Sequence, residues 1–235
     1  MNNNQQLDIP KEYHSRLVPV RQKQIELADQ IILDGNLKLG DTRLVAGLDV
    51  AYDKTDKIAC AGIVVVDFRT LEIVEEVIEF FKPPIPYVPS FLHFRESLGY
   101  HAVIKKLEEK PDVYIFDGNG IIHPHKIGLA SQMGLELNQP TFGVAKKLLL
   151  GEYDSNLLKG GYSDIIFEEE TIGVAFQSSK PPAKPIFLSQ GHLIDLHIVI
   201  NITREFIQNQ VYRTKLPLPL LLADKLVRKE IGEKL

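Results

Sequence analysis

Apolar residues recur along this chain in two rhythms. Residues 44–52 (LVAGLDVAY), 57–67 and 71–81 are runs rich in Val and Ile, the last two joined by the polar turn 68–70, and they predict three strands of an antiparallel meander. Residues 10–33 mix charged and apolar positions as a helix does, and residues 90–110 place Phe91, Phe94, Leu98, Val103, Ile104 and Leu107 at helical spacing. Between them stands KPPIPYVPS. Its prolines exclude a central strand and a helix interior, so a loop feeds the second helix.

Downstream, strand and helix alternate. Residues 113–116 predict a short buried strand, 128–137 a helix and 141–145 a strand. Two more strands, 171–177 and 185–189, flank the loop SSKPPAKP, and helices follow at 194–208 and 220–234. A meander followed by alternating helix and strand predicts an α/β fold, a ribonuclease H-like mixed sheet flanked by helices, as a single domain over residues 9–235. Only the polar opening, residues 1–8, is expected to be disordered.

Composition narrows the class. With 235 residues, 44% of them hydrophobic, the chain can bury a continuous core. No apolar run approaches the ~18 residues of a membrane span, so no membrane partner is expected. The single cysteine, Cys60, excludes an internal disulfide and a Cys-rich zinc site, which suits a reducing, cytoplasmic setting. A net charge of -4 argues against coating nucleic acid through bulk electrostatics. It is compatible with a nuclease whose carboxylates bind divalent cations and so invert the local charge.

Two acidic residues interrupt apolar strands. Asp49 lies inside VAGLDVAYD, where a buried carboxylate costs several kcal/mol without a partner or cation. It is either a strand-end residue bonding turn amides or a ligand. Asp117 repeats the pattern between the strand VYIF and the turn GNG, at the carboxyl end where open sheets place ligands. Oxygen donors from neighbouring strands, without Cys, favour Mg2+ or Mn2+ over zinc. Glu96 in FRES and Asp224 in LLLAD add carboxylates, each alone compatible with a solvated helix position or a partner for Arg95 or Lys225.

Six segments then become specific together. VAGLDVAYD, PYVPSFLHFRE, FDGNGIIHPHKIGLASQMGL, PTFGVAKKLL, LSQGH and LPLPLLLAD run from residue 44 to 224 and resemble, in order and approximate spacing, the motifs of the endonuclease V family. That resemblance implies a metal-dependent hydrolase of ribonuclease H-like fold. Such an enzyme recognises deaminated purine, inosine or hypoxanthine, in nucleic acid and cuts the second phosphodiester bond on the 3' side, as a deoxyribonuclease in DNA repair. It implies Mg2+ as cofactor with Mn2+ substituting, deoxyinosine-containing DNA or inosine-containing RNA as partner, no organic cofactor, and a monomer.

Carried over residue by residue, the resemblance makes Asp49 and Asp117 metal ligands, with Glu96 and Asp224 completing the surroundings, partly through water. His123 becomes an active-site histidine touching the phosphate or a water on the metal, though a histidine packing its own loop is the alternative. Lys146 in VAKK neutralises charge on the scissile phosphate or leaving oxygen, unless it is a surface lysine like Lys147. Tyr87 in PYVP is the wedge that fills the gap left by an extruded base, or else an aromatic packing its loop. Gly118, Gly128 and Leu129 surround the base pocket.

The chain departs from the family pattern in three places. Ser90 stands where glycine usually follows the PYxP tetrapeptide, His125 stands where an arginine phosphate contact is usual, and LPLPLLLAD lacks the polar residues that commonly follow its prolines. Rival functions are an inosine-specific endoribonuclease, an actin- or sugar-kinase-like ATP phosphotransferase, and a non-catalytic nucleic-acid-binding module. The kinase needs a second glycine-rich phosphate loop, which the sequence lacks, and the binding module has no use for four acidic positions beside a lysine.

Overall fold

A computed structural model describes residues 9–179, 183–208 and 215–234. The described strands form one eight-stranded sheet. β1 (Leu44–Tyr52), β2 (Ala59–Asp67) and β3 (Ile73–Phe81) make the expected antiparallel meander. On the other side of β1 lie β4 (Val113–Asp117) and β5 (Thr141–Ala145), both parallel to it. Beyond β5, the strands β6 (Tyr162–Phe167), β7 (Glu170–Phe176) and β8 (Ile186–His192) extend the sheet in the order β3-β2-β1-β4-β5-β8-β7-β6. The described helices are α1 (His14–Ala28), α2 (Leu92–Ile104), α3 (Leu129–Leu137), α4 (Leu196–Gln208) and α5 (Leu218–Glu233). This is the ribonuclease H-like mixed α/β arrangement that the pattern predicts.

Alternation along the strands sorts their residues between two cores. Leu44, Ala46 and Leu48 of β1 join Tyr114 and Phe116 of β4, and pack with Tyr100, Val103, Leu129 and Met133 of α2 and α3. Val45, Val113 and Ile115 face the opposite way, toward Val199 and Phe206 of α4 and Leu220 and Ala223 of α5. Asp49 and Asp117 continue this second series, so both carboxylates belong to the α5 side of the sheet.

α5 comes unusually close to β1 there. A Cβ on Gly47 would lie 2.2 Å from the Pro219 carbonyl carbon, an approach that only glycine permits. Leu218, Pro219, Leu220, Leu221 and Ala223 are all buried. The apolar LPLPLLLAD is thus the root of a helix seated on the sheet, and truncating Leu220 to Ala would cost about 2–5 kcal/mol.

Most boundaries fall within about three residues of expectation, and the larger differences have a physical reason. The first helix ends at Ala28, because Ile32 instead exchanges hydrogen bonds with the β8 end: Leu193 N donates to Ile32 O (2.7 Å) and Ile32 N to His192 Nδ1 (3.2 Å). The second begins at Leu92, since Ser90 has φ +66, outside the helical region, and it ends at Ile104 rather than near 110. Strand β6 escapes the sequence pattern. Its hairpin to β7 turns through Glu168 and Glu169, both at positive φ (51 and 68), the geometry that Asn-Gly ordinarily advertises. The expectation for residues 1–8 lies outside the described residues.

Candidate active site

The last registered pair between β1 and β4 is Leu48 with Phe116. Asp49 and Asp117 follow immediately, side by side at the carboxyl ends of two parallel strands. Asp224 arrives from α5 on the same face. One carboxylate oxygen from each of the three lies within 4.8 Å of the others. Asp224 therefore stands in the centre, although its segment is one of the three that depart from the family pattern.

Asp49 is 7% exposed and accepts from Val50 N at 2.8 Å. Burial first, and the charge of Asp117 second, push its pKa well above the ordinary carboxylate value, against the pull of Lys146. Lys146, next after β5, places Nζ 2.7 Å from Asp117 Oδ2 and 3.4 Å from Asp224 Oδ1. Arg228 donates from Nε to Asp224 Oδ2 at 2.9 Å. Burial alone would raise the Asp224 pKa, but the Arg228 hydrogen bond and the Lys146 charge hold it below its usual value. The three acids and two cations stand beside an opening of about 420 Å³ bordered by Asp49, Tyr52, Arg228 and Ile231. Oxygen donors only, one of them strongly desolvated, fit a hard divalent cation.

Glu96 is held apart from these three. It sits on α2, on the opposite core, where Tyr52 donates to Oε1 (2.5 Å) and Tyr100 to Oε2 (3.0 Å). Burial pushes its pKa up to about 7 in spite of both hydrogen bonds, with a further rise from Asp117. Its neighbour Arg95 pairs with Asp56 (2.5 Å) and lies over the Tyr52 ring at 4.0 Å, and it acts on Glu96 only through its charge, which opposes the rise.

A second feature adjoins the carboxylates through Asn119, two residues beyond Asp117. Tyr87, Ser90, Leu92, Asn119, His123, Gly128, Leu129 and Leu149 line a recess of about 50 Å³. Tyr87 is 62% exposed, as a side chain aimed at a partner would be. Ligand sites usually offer some hundreds of Å³, so a ligand of ordinary size would have to displace part of this lining. Gly128 is obligatory because a Cβ there would lie 2.4 Å from Asn119 O and 2.5 Å from Gly120 O, a close approach to its own loop. Gly118 lies behind the lining, where a Cβ would come within 3.0 Å of Leu129 Cδ2.

His123 is buried, and both ring nitrogens are occupied. Nε2 lies 3.0 Å from Ser90 O and Nδ1 accepts from His125 N at 3.2 Å. Burial pushes its pKa down to about 3, which makes it a neutral donor to Ser90 O. The structure puts it in the recess wall, with no hydrogen bond to the three carboxylates.

Sequence reasoning missed Arg228, Tyr52 and Arg21. Arg228 was legible in principle as the basic member of an i,i+4 pair with Asp224. The other two act across long sequence separations and leave no local signal.

The endonuclease V family model matches residues 25–225. The chain belongs to the endonuclease V family. An endonuclease V of Bacillus thuringiensis subsp. konkukian is 40% identical over 208 residues, 86% of each chain. One of Clostridium acetobutylicum is 36% identical over 218 residues, 89% of this chain and 91% of the relative. Among solved structures, endonuclease V from Bacillus subtilis superposes with TM-score 0.84 at 34% identity, covering 97% of this chain and 96% of the other. Ciona intestinalis endonuclease V, in complex with a 24mer DNA containing an inosine followed by a ribo-adenosine, gives TM-score 0.84 at 30% identity, covering 94% of this chain and 100% of that one. The family-model match takes in the motifs from Asp49 to Asp224. Among the described residues, no helix is long and apolar enough to cross a membrane.

Proposed function

We propose that this chain hydrolyses a phosphodiester bond in DNA containing deoxyinosine, at the second linkage on the 3' side, with Mg2+ as the working cation and Mn2+ as its substitute. The observation that carries this reading is the meeting of Asp49, Asp117 and Asp224 with Lys146 at one end of the sheet, beside the recess that Tyr87 guards. A divalent cation held by the three aspartates would supply Lewis-acid stabilisation of the charge that develops on the phosphate. Lys146 adds an ammonium at the same place, and because its site is partly desolvated that charge acts more strongly than it would in water.

The remaining residues orient and exclude. Tyr52 and Tyr100 fix Glu96 behind the aspartates, where its raised pKa suits a group that takes up or returns a proton near neutral pH. His123 acts through the Ser90 carbonyl rather than on the phosphate. Tyr87 occupies the gap in the stack while Gly128 and Leu129 wall the recess that takes the base, with Gly118 behind Leu129. Residues 9–235 work as one catalytic unit and as a monomer, the proposed site residues being carried by the one sheet, its loops and the helices α2, α3 and α5 packed on it.

The test uses matched strands carrying inosine or adenosine, with Mg2+, Mn2+ or EDTA. Cleavage confined to the inosine strand and abolished by EDTA is expected. Equal cleavage of both strands, or cleavage in EDTA, would overturn the proposal. Inosine in RNA is a second reading, favoured by the ribo-adenosine beside inosine in the Ciona complex, and an RNA strand in the same assay decides it.

A further inference from the structure

α1 is weakly tied to the rest of the molecule. Of its 15 residues only Leu17 and Gln24 are buried. Leu17 packs with Ile85, Val88 and Phe91, the flanks of the loop that carries Tyr87. Two of its polar side chains reach the same loop. Gln24 Nε2 donates to Ser90 O at 2.9 Å, and Arg21 Nη2 donates to Ser90 Oγ at 2.6 Å. Arg21 Nη1 lies 2.7 Å from His125 Nε2, and the guanidinium stacks on the Phe91 ring at 4.5 Å. From the other side, His123 Nε2 reaches the same Ser90 carbonyl.

Ser90 needs these partners. Its φ of +66 is a left-handed conformation that a residue with a Cβ rarely holds unless its surroundings impose it. A serine free of partners would relax toward the β or right-handed region and swing the chain on either side, including Tyr87 three residues earlier. The carbonyl of Ser90 receives two donors and its hydroxyl a third, which together select the rare conformer. Arg21 has no carboxylate partner among the described residues, so nothing draws its guanidinium away from this task.

We propose that Arg21 and Gln24 latch Ser90 in its left-handed conformation and thereby position the Tyr87 loop for lesion recognition. Both latch residues precede the stretch matched by the family model, which begins at residue 25. They are positioning residues: they touch the loop, and act on the nucleic acid only through it. The functional half of the proposal rests on Tyr87 as the wedge.

The experiment is a cycle of Arg21→Met, Ser90→Gly and the double variant in the full chain, read as the ratio of affinities for inosine and undamaged strands of one sequence. Met keeps an unbranched apolar stem and removes the guanidinium together with its hydrogen bonds and its stacking on Phe91. Glycine adopts positive φ freely and has no need of a latch. Arg21→Met is expected to lower the ratio roughly tenfold in the Ser90 background, the scale of one left-handed residue's cost, and to change it little in the Ser90→Gly background. An equal penalty in both backgrounds, or none in either while Tyr87→Ala does lower the ratio, would overturn the latch. So would equal weakening of both strands with a shallower salt dependence, because that is the signature of a direct phosphate contact. Amide exchange over residues 85–91 in the free protein keeps the two halves separate. Unchanged exchange in Arg21→Met defeats the latch, whereas faster exchange there with an unchanged ratio for Tyr87→Ala defeats the wedge alone.

Discussion

Lys146 Nζ lies 2.7 Å from Asp117 Oδ2, closer than to Asp224 Oδ1 at 3.4 Å. Lys146 follows β5 and Asp117 ends the neighbouring strand β4, whose pairing puts Asp117 opposite Val144. The lysine is therefore held by strand geometry rather than by a mobile loop. Its charge is ready before any substrate arrives.

Replacing Lys146 with Met should consequently lower the single-turnover cleavage rate by roughly 10² to 10³, the scale of losing one preorganised charge-stabilising donor. Substrate affinity should change far less. Single-turnover rates and binding constants measured on the same strand separate these quantities, and an intact rate with weakened binding would reassign Lys146 to substrate positioning.

Asp49 is the most desolvated of the three aspartates in the centre, so function and stability should part company there. Asp49→Asn is expected to abolish metal-supported cleavage while leaving metal-free stability unchanged or raised by about 1 kcal/mol, because a costly buried charge is removed. Melting curves in EDTA and in Mg2+ test both halves: wild type should gain stability from the cation and the variant should not. Near-normal turnover by Asp49→Asn would dismantle the proposed centre.

His123 gives a pH dependence of known sign. Its folded pKa, about 3, lies below the ordinary 6.5. The unfolded chain therefore binds a proton that the folded chain refuses. The neutral ring's contribution is complete above pH 6.5 and shrinks as pH falls toward 3, amounting to a loss of about 2 kcal/mol by pH 5. His123→Gln, which retains a donor for Ser90 O, should flatten the stability profile between pH 7 and 5. Equally steep profiles for both proteins in denaturant titrations would mean that His123 is not the group responsible.

Tyr87 separates lesion recognition from metal chemistry. Loss of its ring in Tyr87→Ala should remove stacking worth about 1 to 3 kcal/mol, weakening inosine-strand binding tenfold to a hundredfold. Tyr87→Phe should retain most of that affinity, since the planar ring does the filling. Because the side chain is largely exposed, melting temperature should move little. Equal weakening on inosine and undamaged strands, together with a lowered melting temperature, would make Tyr87 a packing residue of its loop.

Much of this architecture is written in local order. Periodicity placed β1 at 44–52 and β5 at 141–145, and the helices α3 and α4 to within two residues of their starts, because side-chain alternation and helical spacing are properties of neighbouring residues. It also marked Asp49 and Asp117 as anomalies, since a carboxylate at the end of an apolar strand is visible without knowing what faces it. β6 stayed hidden because its turn uses Glu168 and Glu169, residues whose chemistry does not announce positive φ.

Tertiary structure alone decided which acids meet. Glu96 and Asp224 look alike in sequence, each a carboxylate in an apolar helix, yet α5 packs on the face that carries Asp49 and Asp117 while α2 covers the other, so Asp224 joins the cluster and Glu96 is clasped by two tyrosines. Arg21 meets His125 across 104 positions of chain, and no periodicity encodes such a pairing. Local patterns specify elements and the faces they bury. The pairing of one buried face with another depends on the packing of the whole sheet, and that is where the chemistry of the centre and the geometry of the recess were settled.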